Sequence, residues 1–429
     1  MLAPGGRVVE WLARGRLAWH EGGVLFATSS ATPRVPGALQ GVILLLPVTL
    51  AVMGIAVLVP VVPQLMAHFK DVPNSQYLIQ GGVLTMPALC ITLFSPLAGW
   101  SADRFGRRRI LIVAMIAYGV LGVAPLVLDN LFAIVGSRVG VGLCEAVVMT
   151  VSTTLISDYF KGRERERWLA SQTAVASLSA LALIAIGGLL GSLYGWRGPF
   201  GVYLFSVVLA IALWRFTWEP AAEAPSQADI VPGTTGALFP WARMSGICAI
   251  TLFASVMFYT IQTQSSLALT ALGVQEPARL GLFTAVASLG VPLGTFVFRA
   301  LTRLPLALLL SMEFAIIGTG FVLMGRAGDA QHFVIAAALN QLGCGMVLPT
   351  LLTWATRGLV FEIRGRGNGV WQATFAVGQF LSGMTVTFLG AHVGGLLPAF
   401  TALGVANIVV AILAVGGQLR QRIGFAAQA

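Results

Sequence analysis

Three ionisable residues stand inside long apolar stretches of this chain: Arg138 and Glu145 in the run from Leu131 to Ile156, and Glu313 in the run from Leu304 to Leu323. Charge held in hydrocarbon is costly, so such residues are functional candidates by default. Seven residues make about two helical turns, which puts Arg138 and Glu145 on one helix face with Gly142 and Ser152. Their Cα atoms then lie roughly 10 Å apart along the axis. Helical side chains lean toward the N-terminus, so Glu145 tilts toward Arg138 while Arg138 tilts away, and a direct ion pair is left open. Three roles suit this face if it looks into a cavity. Glu145 can bind and release a proton, its proton affinity set by desolvation and by Arg138; the two charges can be a static pair that fixes packing; or Arg138 can face an anionic substrate.

Neutral polar residues outline a second set. Tyr259, Gln262 and Ser266 recur at helical spacing in one apolar run, Asn340 and Gln341 sit in another, and Gln372 and Gln379 share a face of a third. Each is either a solute contact or an interhelical hydrogen bond that glues a bundle. Enzyme chemistry lacks a matching cluster, because His20, His68, His332 and His392 lie outside the apolar runs and far apart. Cys90, Cys144, Cys248 and Cys344 fall singly inside apolar runs and read as inert packing, so no metal is expected. A phosphate-binding loop ending in lysine is absent too, the lysines being Lys70 and Lys161, and no cofactor is implied.

The elements that carry these residues follow from composition. Of 429 residues, 57% are hydrophobic and only 10% charged, with a mean hydropathy of +0.86. Those values exclude an ordinary soluble domain. A helical crossing of a bilayer takes roughly 20 apolar residues, and twelve candidate spans are present. They run near Leu39 to Leu65, Tyr77 to Leu97, Ile110 to Leu128, Leu131 to Ile156, Leu169 to Leu193 and Phe200 to Trp214. After a polar gap come Ile247 to Leu269, Leu280 to Phe298, Leu304 to Leu323, Phe333 to Trp354, Val370 to Leu389 and Leu396 to Val415. The expected fold is an all-α polytopic membrane protein with the lipid bilayer as its solvent.

The net charge of +10 does not form a nucleic-acid stripe, because the basic residues sit in short islands between apolar runs. Of the 26 lysines and arginines, twenty-one fall in the N-terminal tail, the loops after even-numbered spans and the C-terminus, and four (Lys70, Arg197, Arg279, Arg326) fall on the other side. Basic loops stay cytoplasmic, so both termini are expected in the cytoplasm, which requires an even number of crossings.

Residues 1–37 lack the compact apolar centre and cleavage site of a signal peptide and are expected to be a cytoplasmic tail, with an amphipathic stretch from Arg7 to His20 able to lie on the inner leaflet. Residues 218–243, rich in proline and small polar residues, read as a linker between a bundle at 38–217 and a bundle at 244–417, with a C-terminal tail at 418–429. The halves match weakly. Gly99, Arg104 and Arg108 align with Gly294, Arg299 and Arg303, and Gly142, Arg163 and Arg165 align with Gly343, Arg364 and Arg366, as in duplicated transporter halves.

The sharpest local signal joins the second and third spans: Gly99-Trp100-Ser101-Ala102-Asp103-Arg104-Phe105-Gly106-Arg107-Arg108-Arg109. Glycine permits close helix approach and a tight turn, and an aspartate among arginines can hold contacts that change with conformation. This segment resembles the signature of the major facilitator superfamily, G-x-x-x-D-R-x-G-R-R, at every fixed position: Gly99, Asp103, Arg104, Gly106, Arg107 and Arg108. Arg138 with Gly142, Asp158 with Arg163 to Arg167, Gly195-Trp196-Arg197, and Asn340, Gly343, Gly345 and Pro349 resemble further family patterns, over roughly residues 38–417. One pattern is broken. Where drug antiporters of the family carry G-x-x-x-G-P-x-x-G-G in the fifth helix, this chain has Ser179, Leu183, Ile184, Gly187 and Gly188.

The resemblance implies two pseudo-symmetric six-helix bundles, the signature segment as a conformational switch, and a central path lined by the first, fourth, seventh and tenth helices. It places Glu313 on a supporting helix, where packing is the first reading. The implied function is secondary active transport of a small organic solute by alternating access, proton-coupled through an intramembrane carboxylate, by a monomer in the plasma (inner) membrane. The alternatives are a facilitative uniporter, a drug or metabolite efflux antiporter, a receptor or sensor of the same fold, and a membrane-embedded enzyme.

Overall fold

The computed structural model describes residues 36–220, 239–357, 359 and 361–426; the expected amphipathic stretch from Arg7 to His20 and most of the expected linker lie outside them. Among the described residues the regular structure is helical. Spans one to four are Ala38–His68, Ser75–Phe105, Arg107–Leu126 and Leu131–Tyr159. Span five is Gly162–Tyr194 and span six Phe205–Phe216, with a 3₁₀ segment, Gly195–Leu204, between them. Spans seven to ten are Trp241–Ala271, Pro277–Leu301, Leu306–Gly325 and Ala330–Thr356, and spans eleven and twelve are Phe361–Val393 and Leu396–Ala426.

By length and apolarity alone, 11 stretches among the described residues can cross a membrane, one of them the 55-residue stretch Gly162–Phe216. That stretch crosses twice. Near its start Trp168 packs on Gly41, at the head of span one, whereas Gly191 packs on Val61 near the foot of span one. By Phe216 the chain is back at the head, where Gln40 Nε2 donates to the Phe216 carbonyl at 3.2 Å. Reversal occurs at Gly195, whose φ of +66° suits only glycine without strain. Span six therefore begins at Phe205 rather than Phe200. Most other helices run longer than hydropathy alone implied, span twelve reaching Ala426 and span seven starting at Trp241, whereas span three ends earlier, at Leu126, and span nine begins later, at Leu306.

Buried apolar residues form two clusters, one from Ile43 to Leu213 and one from Met244 to Ala411. Each closes around its own spans, so each set of helices has a core of its own. Helix starts are capped where the sequence provides an acceptor. Asn130 Oδ1 takes the amides of Phe132 and Ala133 at 2.8 and 3.4 Å at the head of span four. Asp329 does the same for Gln331 and His332 at 2.9 Å before span ten, and the amide and ring of His332 hold its carboxylate below the usual range.

Prolines inside spans leave carbonyls without their usual helical donor, a cost that lipid cannot relieve. The bundle meets it with side chains from other spans. Pro63 returns no N–H to Val59, and Ser266 Oγ donates to the Val59 carbonyl at 2.6 Å. Pro87 leaves Val83 open, and Arg138 Nε donates there at 3.0 Å. Pro349 leaves Gly345 open, and Thr295 Oγ1 donates there at 3.3 Å.

Contacts between the halves gather at the end opposite the basic loops, called the far end below. Besides Ser266 on Val59, Gln80 Nε2 donates to the Thr263 carbonyl at 3.3 Å, Thr85 Oγ1 to that of Phe380 at 3.0 Å, and the Ala278 amide to Ser192 Oγ at 2.9 Å. Gln80 and Thr85 belong to a π-helical segment, Leu78–Thr85, a wide form of helix found mostly at functional places. Burial follows the same gradient. In span two, residues 79–85 are buried and 91–97 are exposed or half-buried; in span five no residue from 162 to 182 is buried, whereas Gly187, Gly188 and Gly191 are. Span eight repeats the pattern, buried on one face through Ser288 and open beyond Gly294. A cleft therefore opens at the basic end and is shut at the far end.

Candidate functional site

Glu145 lies at the centre of span four, 14 residues from either end of a 29-residue helix, so it sits near mid-membrane depth. Its side chain is 3% exposed. Glu145 accepts no hydrogen bond from the described residues, and its Oε2 is buried without a partner. Span one passes beside it: a methyl group added to Gly54 would meet Oε2 at 3.1 Å. The titratable groups within electrostatic reach are Cys90 on span two, Tyr118 on span three, Arg138 and Cys144 on span four, Tyr203 on span six and Tyr259 on span seven.

Arg138 shares the face, as spacing implied, yet the two side chains form no ion pair. The guanidinium is wholly buried, 0% exposed, and turned to backbone. Its Nε reaches the Val83 carbonyl, its Nη2 the Gly54 carbonyl at 2.7 Å, and its charge lies over the Tyr203 ring, 5.0 Å from the centroid. The Gly54 carbonyl is available because the Leu58 amide turns to Ile55, at 3.0 Å, as span one narrows toward Pro60. Arg138 thus ties spans one, two and four together, and Tyr118 adds span three by donating to the Leu50 carbonyl at 2.6 Å and stacking on Tyr203 with centroids 5.3 Å apart. Tyr118, Tyr203 and the two carbonyls were not singled out from sequence; Pro87, four residues after Val83, was the available signal.

Glu313 is elsewhere. It is buried inside the second set of spans, where Thr350 Oγ1 of span ten donates to its Oε1 at 2.5 Å and Oε2 has no partner. Asn340 and Gln341 are bonded inside the same set and do not face the gap: Asn340 Nδ2 donates to the Ile317 carbonyl of span nine at 3.0 Å, and Gln341 Nε2 to Asn340 Oδ1 at 3.3 Å. Ser266 is spent on the seam with span one. Tyr259, Gln262 and Gln379 remain half-buried and Gln372 exposed. Tyr259 has Phe375 of span eleven beside it, ring centroids 5.5 Å apart.

At the basic end the signature segment is a turn between helices. Gly106, at φ +90°, makes the break that another residue would strain. Arg107 bridges Asp103, Nη2 to Oδ1 at 2.9 Å, and Asp158 at the foot of span four, with Nη1 on both carboxylate oxygens at 2.7 and 2.6 Å. Arg108 closes the foot of span six: its amide donates to Glu219 at 3.2 Å and its Nη2 to the Trp214 carbonyl at 2.5 Å. Arg104 lies 5.7 Å from the centre of the Trp100 ring. Gly99 has open space, a methyl there meeting only Thr150 at 3.9 Å. The network joins spans two, three, four and six, and Glu219 is a member that sequence spacing had placed in the linker.

Fold and site together define a polytopic helical membrane protein with two helical cores and a buried carboxylate at the middle of span four. The chain belongs to the major facilitator superfamily, whose model matches residues 44–357, a family of transporters. It is similar to the class G tetracycline resistance protein of Vibrio anguillarum, 26% identical over 333 residues that cover 75% of this chain and 79% of that protein. An uncharacterized MFS-type transporter of Salmonella typhimurium is 26% identical over 373 residues, covering 83% and 91%. Among solved structures, the fold is similar to a bacterial homolog of the human lysosomal transporter Spinster, with TM-score 0.69, 20% identity and coverage of 88% and 95%. The D-xylose-proton symporter gives TM-score 0.70 at 15% identity, covering 88% of this chain and 97% of that one.

Proposed function

We propose that the chain is a secondary active transporter that moves a small organic solute across the plasma (inner) membrane by alternating access, with proton movement coupled through Glu145. It works as a monomer with both termini cytoplasmic, so the open basic end of the cleft is the cytoplasmic mouth. The observation that carries this reading is the mid-depth carboxylate: Glu145 is buried, lies within electrostatic reach of Tyr259 in the other half, and accepts no hydrogen bond from the described residues. A buried carboxylate so placed is costly as an anion and needs a proton or a bound cation, and rocking of the halves changes its access to water. Arg138 positions spans one, two and four around it. Glu313 is a packing residue in this account, satisfied in part by Thr350.

The signature segment serves as the switch. With the basic end open, Asp103 pairs with Arg107 of its own bundle and is 67% exposed, leaving it free to meet the other bundle when that end closes. Proton-driven export is the variant favoured by similarity to tetracycline resistance proteins.

Comparing metabolites inside and outside cells with and without the gene supplies candidate solutes, and proteoliposomes under an imposed pH gradient provide the test. Wild-type protein is expected to drive solute movement with accompanying proton flux. In Glu145→Gln the gradient-driven component should drop to the level of empty liposomes. Full gradient-driven transport by Glu145→Gln rules out the proton role.

A further inference from the structure

Two exposed stripes of the first set of spans end in arginine. On span three Val113, Ile116 and Val120 recur at helical spacing, and on span six Leu204, Val208 and Ile211 do the same, all of them exposed. Each stripe continues at the basic end into one more exposed residue, Arg109 four positions before Val113 and Arg215 four positions after Ile211. The two spans run in opposite directions and touch through glycine: a methyl group on Gly119 would stand 2.6 Å from Ser206 Oγ and 2.7 Å from Val207. From that contact Arg109 lies ten residues toward the basic end and Arg215 eight. At the helical rise these are about 15 and 12 Å, so the two arginines stand level to within about 3 Å on neighbouring helices whose axes are roughly 8–10 Å apart.

The carboxylates around the signature turn are already engaged. Arg107 holds Asp103 and Asp158, and Glu219 accepts from the Arg108 amide. Arg108 is itself spent on the foot of span six, with Nη2 on the Trp214 carbonyl and Nε on Thr217 Oγ1 at 3.2 Å. Arg109 and Arg215 form no ion pair among the described residues; Arg215 lies over the Phe216 ring, 5.5 Å from its centroid. Trp214 and Phe216 are exposed on either side of Arg215, and exposed aromatic side chains at the end of a span mark the headgroup layer of a bilayer. Two guanidinium groups thus stand in that layer, at the ends of apolar stripes that lie in the hydrocarbon.

We infer that Arg109 and Arg215 form a binding site for an anionic phospholipid of the leaflet at the basic end, its phosphate shared between the two guanidinium groups and its acyl chains laid along the stripes of spans three and six. Guanidinium matches phosphate with paired donors. A zwitterionic lipid brings an ammonium group as well, for which the engaged carboxylates leave no partner. A phosphate ester without chains would forgo the contact with Val113, Ile116, Val208 and Ile211. The bound lipid clamps the feet of spans three and six on either side of Arg108, so it braces the signature segment from outside the bundle. The inference rests on the membrane-spanning fold and stands apart from the carrier reading.

Full-length protein purified in a neutral detergent is titrated with phosphatidylglycerol and phosphatidylcholine of identical chains, with binding read by native mass spectrometry and bracing by thermal unfolding. An arginine near a lipid surface contributes roughly fivefold in affinity, so the wild-type protein is expected to hold phosphatidylglycerol roughly 20- to 30-fold more tightly than phosphatidylcholine and to melt later with it. The double variant Arg109→Gln, Arg215→Gln should lose most of that preference, leaving about threefold or less. Arg299→Gln with Arg303→Gln removes the same charge from the basic end of the other half and should keep the preference. Equal binding of the two lipids by wild-type protein, an unchanged preference in the Arg109 and Arg215 variant, or an equal loss in both double variants, as a diffuse basic surface would give, each overturns the proposal. Glycerol phosphate, the headgroup without chains, is expected not to compete; competition at the lipid's own concentration would make the ligand a free phosphate ester and overturn the lipid assignment. The comparison of the two lipids uses wild-type protein, so a misfolded variant cannot mask the result.

Discussion

Arg138→Met is expected to yield far less folded protein, with the detergent-solubilised remainder melting early and transport absent. The guanidinium satisfies the Val83 carbonyl, which Pro87 cannot, and the Gly54 carbonyl, which Leu58 does not. Methionine fills similar volume and donates nothing. Each buried carbonyl left bare costs about 1–3 kcal/mol, so about 2–4 kcal/mol is lost after partial compensation by Tyr203, whose hydroxyl stands 3.4 Å from the Gly54 carbonyl. Arg138→Lys keeps a charge and some donors but lacks the planar fork that spans both carbonyls, so it should fall between the two. A thermal-unfolding series in detergent orders the three proteins. Methionine as stable as arginine would show that Arg138 is not the tie between spans one, two and four.

The second large effect concerns the far-end seam. At Gly188 a methyl group would stand 2.6 Å from the Pro277 carbonyl and 3.1 Å from the Gly281 α-carbon, and at Gly281 it would stand 2.8 Å from the Ile184 carbonyl. These obstacles are backbone and cannot swing aside as a side chain could. Gly188→Leu is therefore expected to leave each bundle folded and to prop the far end apart. Overpacking costs about 1–3 kcal/mol, and placed on one state alone it shifts the balance of the two states by roughly 5- to 150-fold. Spin labels at Ser192 and Ala278, neighbours across the seam, should report a longer distance in the variant, with net transport slowed to match. An unchanged distance would mean that the seam is not what closes this end.

Much of this was legible from residue order. Apolar runs and basic islands gave the number of crossings and their alternation, and the seven-residue spacing put Arg138 and Glu145 on one face. The signature residues from Gly99 to Arg108 lay where a turn was needed. What sequence did not disclose was the partner of each polar group. Arg138 looked like a mate for Glu145 because both carry charge, whereas the fold gives it two carbonyls on spans one and two, a match that exists only once three helices pack. Asn340 and Gln341 had the right chemistry for a lining, yet helix rotation turns them toward span nine and each other. Trp371 and Phe375 are ordinary residues for an apolar run; their four-residue spacing becomes an aromatic stack, centroids 5.4 Å apart, which Tyr259 of span seven meets at 5.5 Å. Gly187 and Gly188 first read as remnants of a broken pattern. Their place against spans one and eight gives them a steric reason of their own.

The central claim, that one mid-depth site is reached from one side at a time, is tested most directly by two-sided labelling. With the four native cysteines replaced by alanine and Gln262→Cys introduced, sealed vesicles of each orientation are exposed to a membrane-impermeant thiol reagent. The account predicts modification from the basic-loop side at rest, and modification from the far side once Gly188→Leu holds that seam open, with labelling from the basic side reduced in step. Equal labelling from both sides in the resting protein, as an open pore would give, or labelling that ignores the seam variant, would contradict it.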